Sequence, residues 1–184
     1  MKFGLRLGLA IAVLAFGVVA QTREQTTIQT SAMALKGDQA AIVVKYLNLP
    51  FRPKTFEYLE KGGDEYYGKR SWPFARLVTK VGLTLEGHII LPGNYAFVLN
   101  PARKEQGATL TLLKIADELE FLKPGKVFEE VPTGTAIFTT GVSFETLDSI
   151  AADHLKIELT LAENGAQMTV LYGNRKFSRT LGVS

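Results

Sequence analysis

The sequence predicts an all-β protein, an antiparallel β-sandwich of about eight to ten short strands that follows an N-terminal signal peptide. Three observations lead to this fold class. Segments rich in β-branched and apolar residues alternate with polar residues, most clearly over 83–99 and 155–161. Turn signals such as Asn164-Gly165 and Gly173-Asn174 separate these segments at regular intervals. Almost no stretch has the period of an amphipathic helix, and a barrel is the alternative architecture.

The first 20 residues are typical of a secretory signal peptide. Lys2 and Arg6 form a positive region, residues 7–19 are almost entirely apolar, and Val18 and Ala20 offer modest side chains to a signal peptidase. We expect cleavage after Ala20 and an exported, mainly periplasmic protein, with an extracellular location as the alternative. The apolar run is shorter than the about 20 residues of a transmembrane helix, so no stable membrane span is expected after cleavage.

Composition limits the partners and the covalent chemistry. The sequence contains no cysteine, which excludes disulfides and a lipid-modified cysteine after the signal. The signal carries two basic residues and no acidic residue, so its removal lowers the formal net charge from +3 to +1. No basic cluster is present, and a nucleic-acid partner is therefore not expected. Residues 21–38, rich in Thr and Gln, predict a flexible leader, and residues 39–184 predict a single sandwich domain.

The first half of the domain is organised around residues 75–101. Their alternation predicts a hairpin that reverses at Leu91-Pro92-Gly93-Asn94. The Pro ring fixes its own φ, and Gly permits the φ values that a tight turn needs and other residues avoid. Before this hairpin, residues 41–49 predict a strand that Pro50 and Pro53 terminate, and residues 56–70 predict a long loop.

The second half predicts a series of strands closed by two hairpins. Asn164-Gly165 favours a type I′ turn, which needs φ > 0 at both central residues, and Gly173-Asn174 predicts a second tight turn. Residues 145–152 are compatible with one or two helical turns. The strands are predicted over 109–115, 126–131, 135–144, 155–161, 168–172 and 175–183.

The central segment resembles a bacterial exported family catalogued as domain of unknown function 2911. The resemblance is carried by residues 75–79, by Gly87 and by Leu91-Pro92-Gly93-Asn94-Tyr95, which are similar to the family's Thr-containing strand and its Leu-Pro-Gly-x-Tyr turn. The chain departs from the family where residues 72–76 read Trp-Pro-Phe-Ala-Arg instead of a Trp-Arg-x-Gly-Ala-Asn motif. The resemblance implies an exported β-rich domain and implies no particular activity.

Few residues suggest catalysis or metal binding. The two histidines, His88 and His154, form no H-x-H or H-x-x-x-H pair, so a zinc site is not expected. The sequence contains no G-x-S-x-G elbow, phosphate loop or dinucleotide fingerprint. We therefore predict no catalytic residues, no metal and no cofactor. A cell-envelope hydrolase with acids drawn from Asp64, Glu65 and Glu86 is one alternative.

The best candidate for a ligand-binding site is a short aromatic and basic segment. It contains the only Trp of the sequence, and it consists of Tyr66, Tyr67, Arg70, Trp72, Phe74 and Arg76. Aromatic faces beside guanidinium groups suit sugar rings, peptides or a protein partner. The alternative is structural: Trp72 and Phe74 cap one end of the core, and Arg76 extends over them. A weaker candidate comprises Tyr172, Asn174, Arg175 and Arg179.

Together these features predict an exported, non-enzymatic domain that binds an envelope ligand, either a glycan or a peptide, or a protein partner. Binding is expected through loops at one end of the sandwich, because loops on a rigid β scaffold commonly carry recognition. A purely structural envelope component is the second alternative.

Overall fold

The protein is described by a computed structural model that covers residues 26–35, 38–62, 71–103, 106–117, 120–124 and 130–184. In these residues the chain forms twelve β-strands and one helix, α1 (Pro53–Lys61). The strands are β1 (Ile28–Leu35), β2 (Asp38–Leu47), β3 (Trp72–Thr79), β4 (Leu83–Leu85), β5 (His88–Ile90), β6 (Gly93–Asn100), β7 (Thr109–Lys114), β8 (Thr135–Gly141), β9 (Glu145–Thr146), β10 (Ala152–Ala162), β11 (Gly165–Gly173) and β12 (Arg175–Val183).

The strands form two antiparallel sheets packed face to face, which confirms the predicted all-β sandwich. The first sheet has the order β1-β2-β3-β6-β7-β8, and the second has the order β10-β11-β12-β4-β5, with β9 also beside β12. One pair of sheet edges meets where Leu159 N donates to Ser31 Oγ at 3.2 Å. The other pair meets where the His88 ring stacks on Phe138 with centroids 5.1 Å apart. The two edges of each sheet therefore lie close to the edges of the other.

The core fills the space between the sheets with alternate residues of each strand. Tyr95, Phe97 and Leu99 of β6 are each 1% exposed or less, and they face the second sheet, where Phe177 and Leu181 are buried. Burial of such side chains contributes roughly 1.5–3 kcal/mol each and is the main stabilising term. Because both faces of the central strands of the first sheet are covered, β3 and β6 are apolar along almost their whole length.

The predicted flexible leader at residues 21–38 is wrong over Ile28–Leu35, which form strand β1. β1 pairs with β2 in antiparallel register from Ile28 opposite Leu47 to Leu35 opposite Asp38. Its residues are mostly exposed, so the apolar alternation that signals a strand is weak in the sequence. The strand forms because its backbone pairs with β2. The predicted signal peptide at residues 1–20 lies outside the described residues.

Part of the loop expected at residues 56–70 is helix α1. Pro53 occupies the first turn, where its missing N–H costs nothing, and Phe56 and Leu59 point into the protein from one face. The apolar pattern spans only nine residues, which is too short to stand out as helical in the sequence. Among the described residues, no helix is long and apolar enough to cross a membrane.

The hairpin predicted over 75–101 is wrong in its turn. The chain reverses instead at Glu86-Gly87, where Leu85 pairs with His88 and both turn residues have positive φ, 52° and 78°. This is the pattern of a type I′ turn. The segment at Leu91-Pro92 crosses from the second sheet to the first, where β6 pairs with β3. The sequence pattern showed the alternation correctly but not that the two strands belong to different sheets.

The two C-terminal hairpins are present, with one change of turn type. Ala162 pairs with Gly165, so the loop residues are Glu163 and Asn164, and neither has positive φ. The type I′ turn expected at Asn164-Gly165 is therefore wrong in register by one residue. The Gly173-Asn174 turn is as predicted, with Gly173 at φ 64°. Residues 145–152 contain the short strand β9 instead of helical turns, and most of the strand expected at 126–131 lies outside the described residues.

Candidate functional site

Helix α1 closes one end of the sandwich, which we call the helix end. At this end the turn between β11 and β12 meets the segment that leads from β2 into α1, because Tyr172 Oη donates to the carbonyl oxygen of Pro50 at 2.8 Å. On the other side, Ala102 N donates to the carbonyl oxygen of Leu59 at 2.9 Å, which attaches α1 to the end of β6. The helix is thus bound to strand ends of both sheets.

Seven aromatic side chains meet beneath α1 and form what we call the aromatic cluster. Phe56 of α1 packs against Phe144 with ring centroids 4.9 Å apart and against Tyr172 at 5.3 Å. Below them, Trp72 lies 5.8 Å from Tyr172. These rings are mostly tilted or edge-on, which is the favourable geometry for aromatic pairs. The cluster consists of Phe51, Phe56, Trp72, Phe74, Phe144, Tyr172 and Phe177.

The aromatic cluster encloses a cavity of about 10 Å³, close to the space that one water molecule needs. The surface that lines the cavity is apolar, although Tyr172 and Arg175 are among the residues that contribute to it. The lining residues are Phe56, Trp72, Phe74, Leu99, Phe144, Leu155, Val170, Tyr172, Arg175 and Phe177. A ligand group larger than a water molecule can enter only if a lining side chain moves.

Arg175 is the one charged residue among those that line this cavity, and its guanidinium is held by partners beside it. Its Nε donates to Glu60 Oε1 at 2.9 Å and its Nη2 donates to Glu60 Oε2 at 3.4 Å. Its Nη1 donates to Asn174 Oδ1 at 2.9 Å, and its guanidinium carbon lies 5.9 Å from the Phe56 ring centroid. The Arg175 and Glu60 side chains are 21% and 29% exposed, so solvent screens this ion pair only in part.

The structure separates the described members of the predicted ligand-binding set. Trp72 and Phe74 are 3% and 1% exposed and belong to the aromatic cluster, which is the core-capping position weighed as the alternative. Arg76 is 5% exposed and lies on the outer face of the first sheet, where none of its named partners belongs to the cluster. The three therefore form no single open surface. Tyr66, Tyr67 and Arg70 lie outside the described residues.

Arg76 attaches a covering segment, residues 115–117 and 120–124, to the outer face of the first sheet. Its guanidinium donates to Asn94 Oδ1 at 2.9 and 3.2 Å, to the carbonyl oxygen of Asp117 at 2.5 Å and to Glu120 Oε1 at 2.7 Å. Phe121 and Leu122 of the same segment are each 6% exposed. The arrangement indicates a structural clamp, in which a buried cation is satisfied by fixed acceptors.

The residues considered for metal binding or acid catalysis do not converge in the described part of the chain. His88 is on β5 and His154 is on β10, the two opposite edges of the second sheet, about 19 Å apart at the usual strand spacing. Glu86 Oε1 lies 3.0 Å from Arg179 Nε, which makes Glu86 an ion-pair partner. Asp64 and Glu65 lie outside the described residues. Across the described ranges, no group of three or more His, Asp or Glu residues could hold a metal ion.

Several residues of the helix end were not among the predicted site residues. Glu60 and Phe56 lie one helical turn apart in α1, and the signal that could have revealed them is Pro53 followed by apolar residues at positions 56 and 59. Arg175 and Tyr172, by contrast, belong to the weaker predicted set, and the structure brings both to the cavity, whereas Arg179 pairs with Glu86 farther along β12.

Comparisons with known proteins add no further assignment. No family model matches the chain, and no curated protein and no solved structure matches it significantly. The resemblance to the exported family noted from residues 75–95 stays a prediction.

Proposed function

We propose that this protein is an exported, non-enzymatic binding domain that takes its ligand at the helix end of the sandwich. The observation that carries the proposal is the aromatic cavity with Arg175 beside it. Binding sites are typically concave and mostly apolar, with a few placed polar groups that fix the orientation of the ligand. The helix end has the apolar lining in a form that is nearly closed by α1, and the guanidinium of Arg175 lies beside it.

The surrounding structure supports a recognition role. The floor of the cavity belongs to long strands of both sheets, including β3 and β12, so it is rigid. The roof belongs to a nine-residue helix, which is too short to be stable without its packing contacts. A ligand that replaces the Phe56 ring of the roof must restore the burial that this ring loses, roughly 1.5–3 kcal/mol.

A thermal-shift panel on the protein purified after export tests this proposal. The panel contains glycan fragments, short peptides and small apolar compounds. A ligand at about a hundred times its Kd adds roughly 2.7 kcal/mol of stability, which should raise the midpoint by about 5–10 °C for a chain of this size. No rise with any compound would contradict the proposal and favour a structural component.

Two variants locate the site. Phe144→Leu removes a ring that contacts Phe56 in the aromatic cluster. Phe138→Leu removes a ring of comparable size that is outside the aromatic cluster and stacks on His88 where the edge strands β8 and β5 meet. We expect the ligand-dependent shift to be lost in Phe144→Leu and kept in Phe138→Leu. Equal responses from both variants would place the ligand elsewhere.

The location has a test of its own. We propose that the signal at residues 1–20 directs the protein to the periplasm and is removed. Expression with the natural leader in a bacterial host with an outer membrane, followed by fractionation and intact-mass measurement, should give a periplasmic species that begins at Gln21. A product retained in the cytoplasm at full length would contradict this part of the proposal.

A further inference from the structure

We infer that the helix end binds a small carboxylic acid with an apolar body, whose carboxylate replaces that of Glu60 on Arg175. The inference rests on the proposed function and adds the chemical class of the ligand. It is carried by the geometry of Arg175, by the spacing of two residues in α1 and by the apolar lining of the cavity.

Arg175 already holds a carboxylate in the geometry that a ligand carboxylate would adopt. Two of its nitrogens, Nε and Nη2, face the two oxygens of Glu60 at 2.9 and 3.4 Å. Such a forked pair gives orientation as well as attraction. The guanidinium also lies over the Phe56 ring, so the apolar environment continues up to the cation. A carboxylate at this position is adjacent to aromatic surface on one side and solvent on the other.

One face of helix α1 carries two side chains that correspond to the two parts of such a ligand, its apolar body and its carboxylate. Phe56 and Glu60 are four residues apart, which places their Cβ atoms about 6 Å apart on the same side of a helix. The Phe56 ring fills the aromatic cluster, and the Glu60 carboxylate binds Arg175. An aromatic or aliphatic acid of similar length therefore finds the same two partners that α1 now occupies.

The cavity is too small to hold the Phe56 ring and the body of a ligand at the same time. A volume of about 10 Å³ admits no phenyl ring or alkyl chain while Phe56 is in place. The first turn of α1 has no side-chain cap and no acidic residue, so α1 stays docked through contacts beyond that turn, among them the packing of Phe56 and Leu59, the Ala102–Leu59 hydrogen bond and the Glu60 pair. Binding must then compete with docking of α1, and weakening that docking should strengthen binding.

The lining favours an apolar body over a sugar. The Tyr172 hydroxyl, which reaches the rim of the aromatic cluster, already donates to the Pro50 carbonyl and accepts from Arg52 N at 3.2 Å. A sugar ring would bury several hydroxyl groups among mostly phenyl rings, which offer no hydrogen-bond partner, at a cost of about 1–3 kcal/mol for each unpaired group. Hydrocarbon meets no such penalty.

The fluorescence of Trp72 provides a direct assay, because it is the only Trp of the sequence and it lines the cavity. The probes are 3-phenylpropanoate and its neutral isostere 3-phenylpropanamide, titrated into the purified protein. We expect the acid to bind about tenfold more tightly than the amide, since only the acid makes the charge-assisted pair with Arg175.

Three variants separate the acid site from general binding. Glu60→Gln removes the competing carboxylate and should strengthen acid binding about three- to tenfold. Arg175→Gln should remove the preference for the acid, and Arg175→Lys, which keeps the charge but not the fork, should keep only part of it. The matched control is Glu145→Gln. It breaks the ion pair between Glu145 and Lys176, 3.1 Å apart, and Lys176 is the residue after Arg175 in β12. This control should bind the acid as the wild type does.

The outcomes are distinct. Equal affinity for acid and amide, or weaker acid binding in Glu60→Gln, would overturn the inference and leave the proposed binding function standing. No response of Trp72 to either probe in wild type and in Glu60→Gln would also overturn it. In that case a shift with another compound of the thermal panel would preserve the proposed function, and no shift at all would remove both.

Discussion

Replacing Arg76 by Met should destabilise the protein without affecting ligand binding at the helix end. The side chain is 5% exposed, and its guanidinium donates to Asn94 Oδ1, to the Asp117 carbonyl and to Glu120. Met occupies a similar volume but has no N–H group, so the Asn94 side-chain oxygen and the Asp117 carbonyl lose their hydrogen bonds from Arg76. Hydrogen bonds to a charged group contribute about 1.5–3 kcal/mol each, and relief from burying the cation offsets part of the sum. The expected net loss is about 2–4 kcal/mol.

Urea unfolding followed by circular dichroism measures this loss, which corresponds to a fall in Tm of roughly 5–15 °C. The matched control is Glu120→Gln, because the Glu120 side chain is 66% exposed and an exposed partner contributes about 1 kcal/mol or less. A loss below about 0.5 kcal/mol in Arg76→Met would refute the clamp. If such a variant stayed fully stable and lost the thermal response to a ligand, Arg76 would return to the candidate site residues.

Three further changes test other parts of the structure. Burial raises the pKa of Tyr95 above its ordinary value of 10.0, so the unfolded chain loses this proton at a lower pH than the folded chain does. The stability contributed by the neutral phenol therefore declines as pH rises above about 10. Tyr95→Phe should show a shallower decline of the urea midpoint at alkaline pH, and an unchanged slope would argue against this origin. Gly173→Ala should lower the free energy of unfolding by about 2–3 kcal/mol, because residue 173 has φ 64° and a Cβ there would collide with the Phe51 ring. A wild-type Tm would contradict the turn geometry. Glu86→Gln loses the pair with Arg179 and keeps the strained φ of 52°, whereas Glu86→Gly loses the pair and relieves the strain. Glu86→Gly should therefore be about 1 kcal/mol more stable than Glu86→Gln in urea, and the reverse order would refute the strain at this turn.

The fold class followed from the sequence because alternation and turn residues are local properties. Strand β10 and the hairpin after it appear in the sequence almost as they are in the structure, since one face of these strands is buried and the other is solvated. Which strands pair could not be deduced, because pairing depends on contacts between distant segments. The turn at Glu86-Gly87 shows this well: Pro92-Gly93 is the stronger local turn signal, yet the chain uses it to cross between sheets.

The candidate site could be predicted only in part. Trp72 and Phe74 were predicted as members of a binding segment, with a core-capping position as the alternative, and the core is where they lie. The residues that complete the cavity come from β12 and α1, and no local pattern connects Arg175 with Glu60 across more than a hundred positions. Arg76 lies only four residues after Trp72, and simple strand alternation would place the two side chains on the same face of the first sheet. The register shift between Pro73 and Ala75 reverses the alternation, so Arg76 lies on the outer face.

The central claim, that ligands bind at the helix end, is tested most directly by mapping backbone amide shifts by NMR during titration with 3-phenylpropanoate. The account predicts that the perturbed amides are those around Phe56, Glu60, Tyr172 and Arg175, with no change at the opposite end near Asn164. Saturable shifts confined to the opposite end, or to the outer face around Arg76, would contradict the claim.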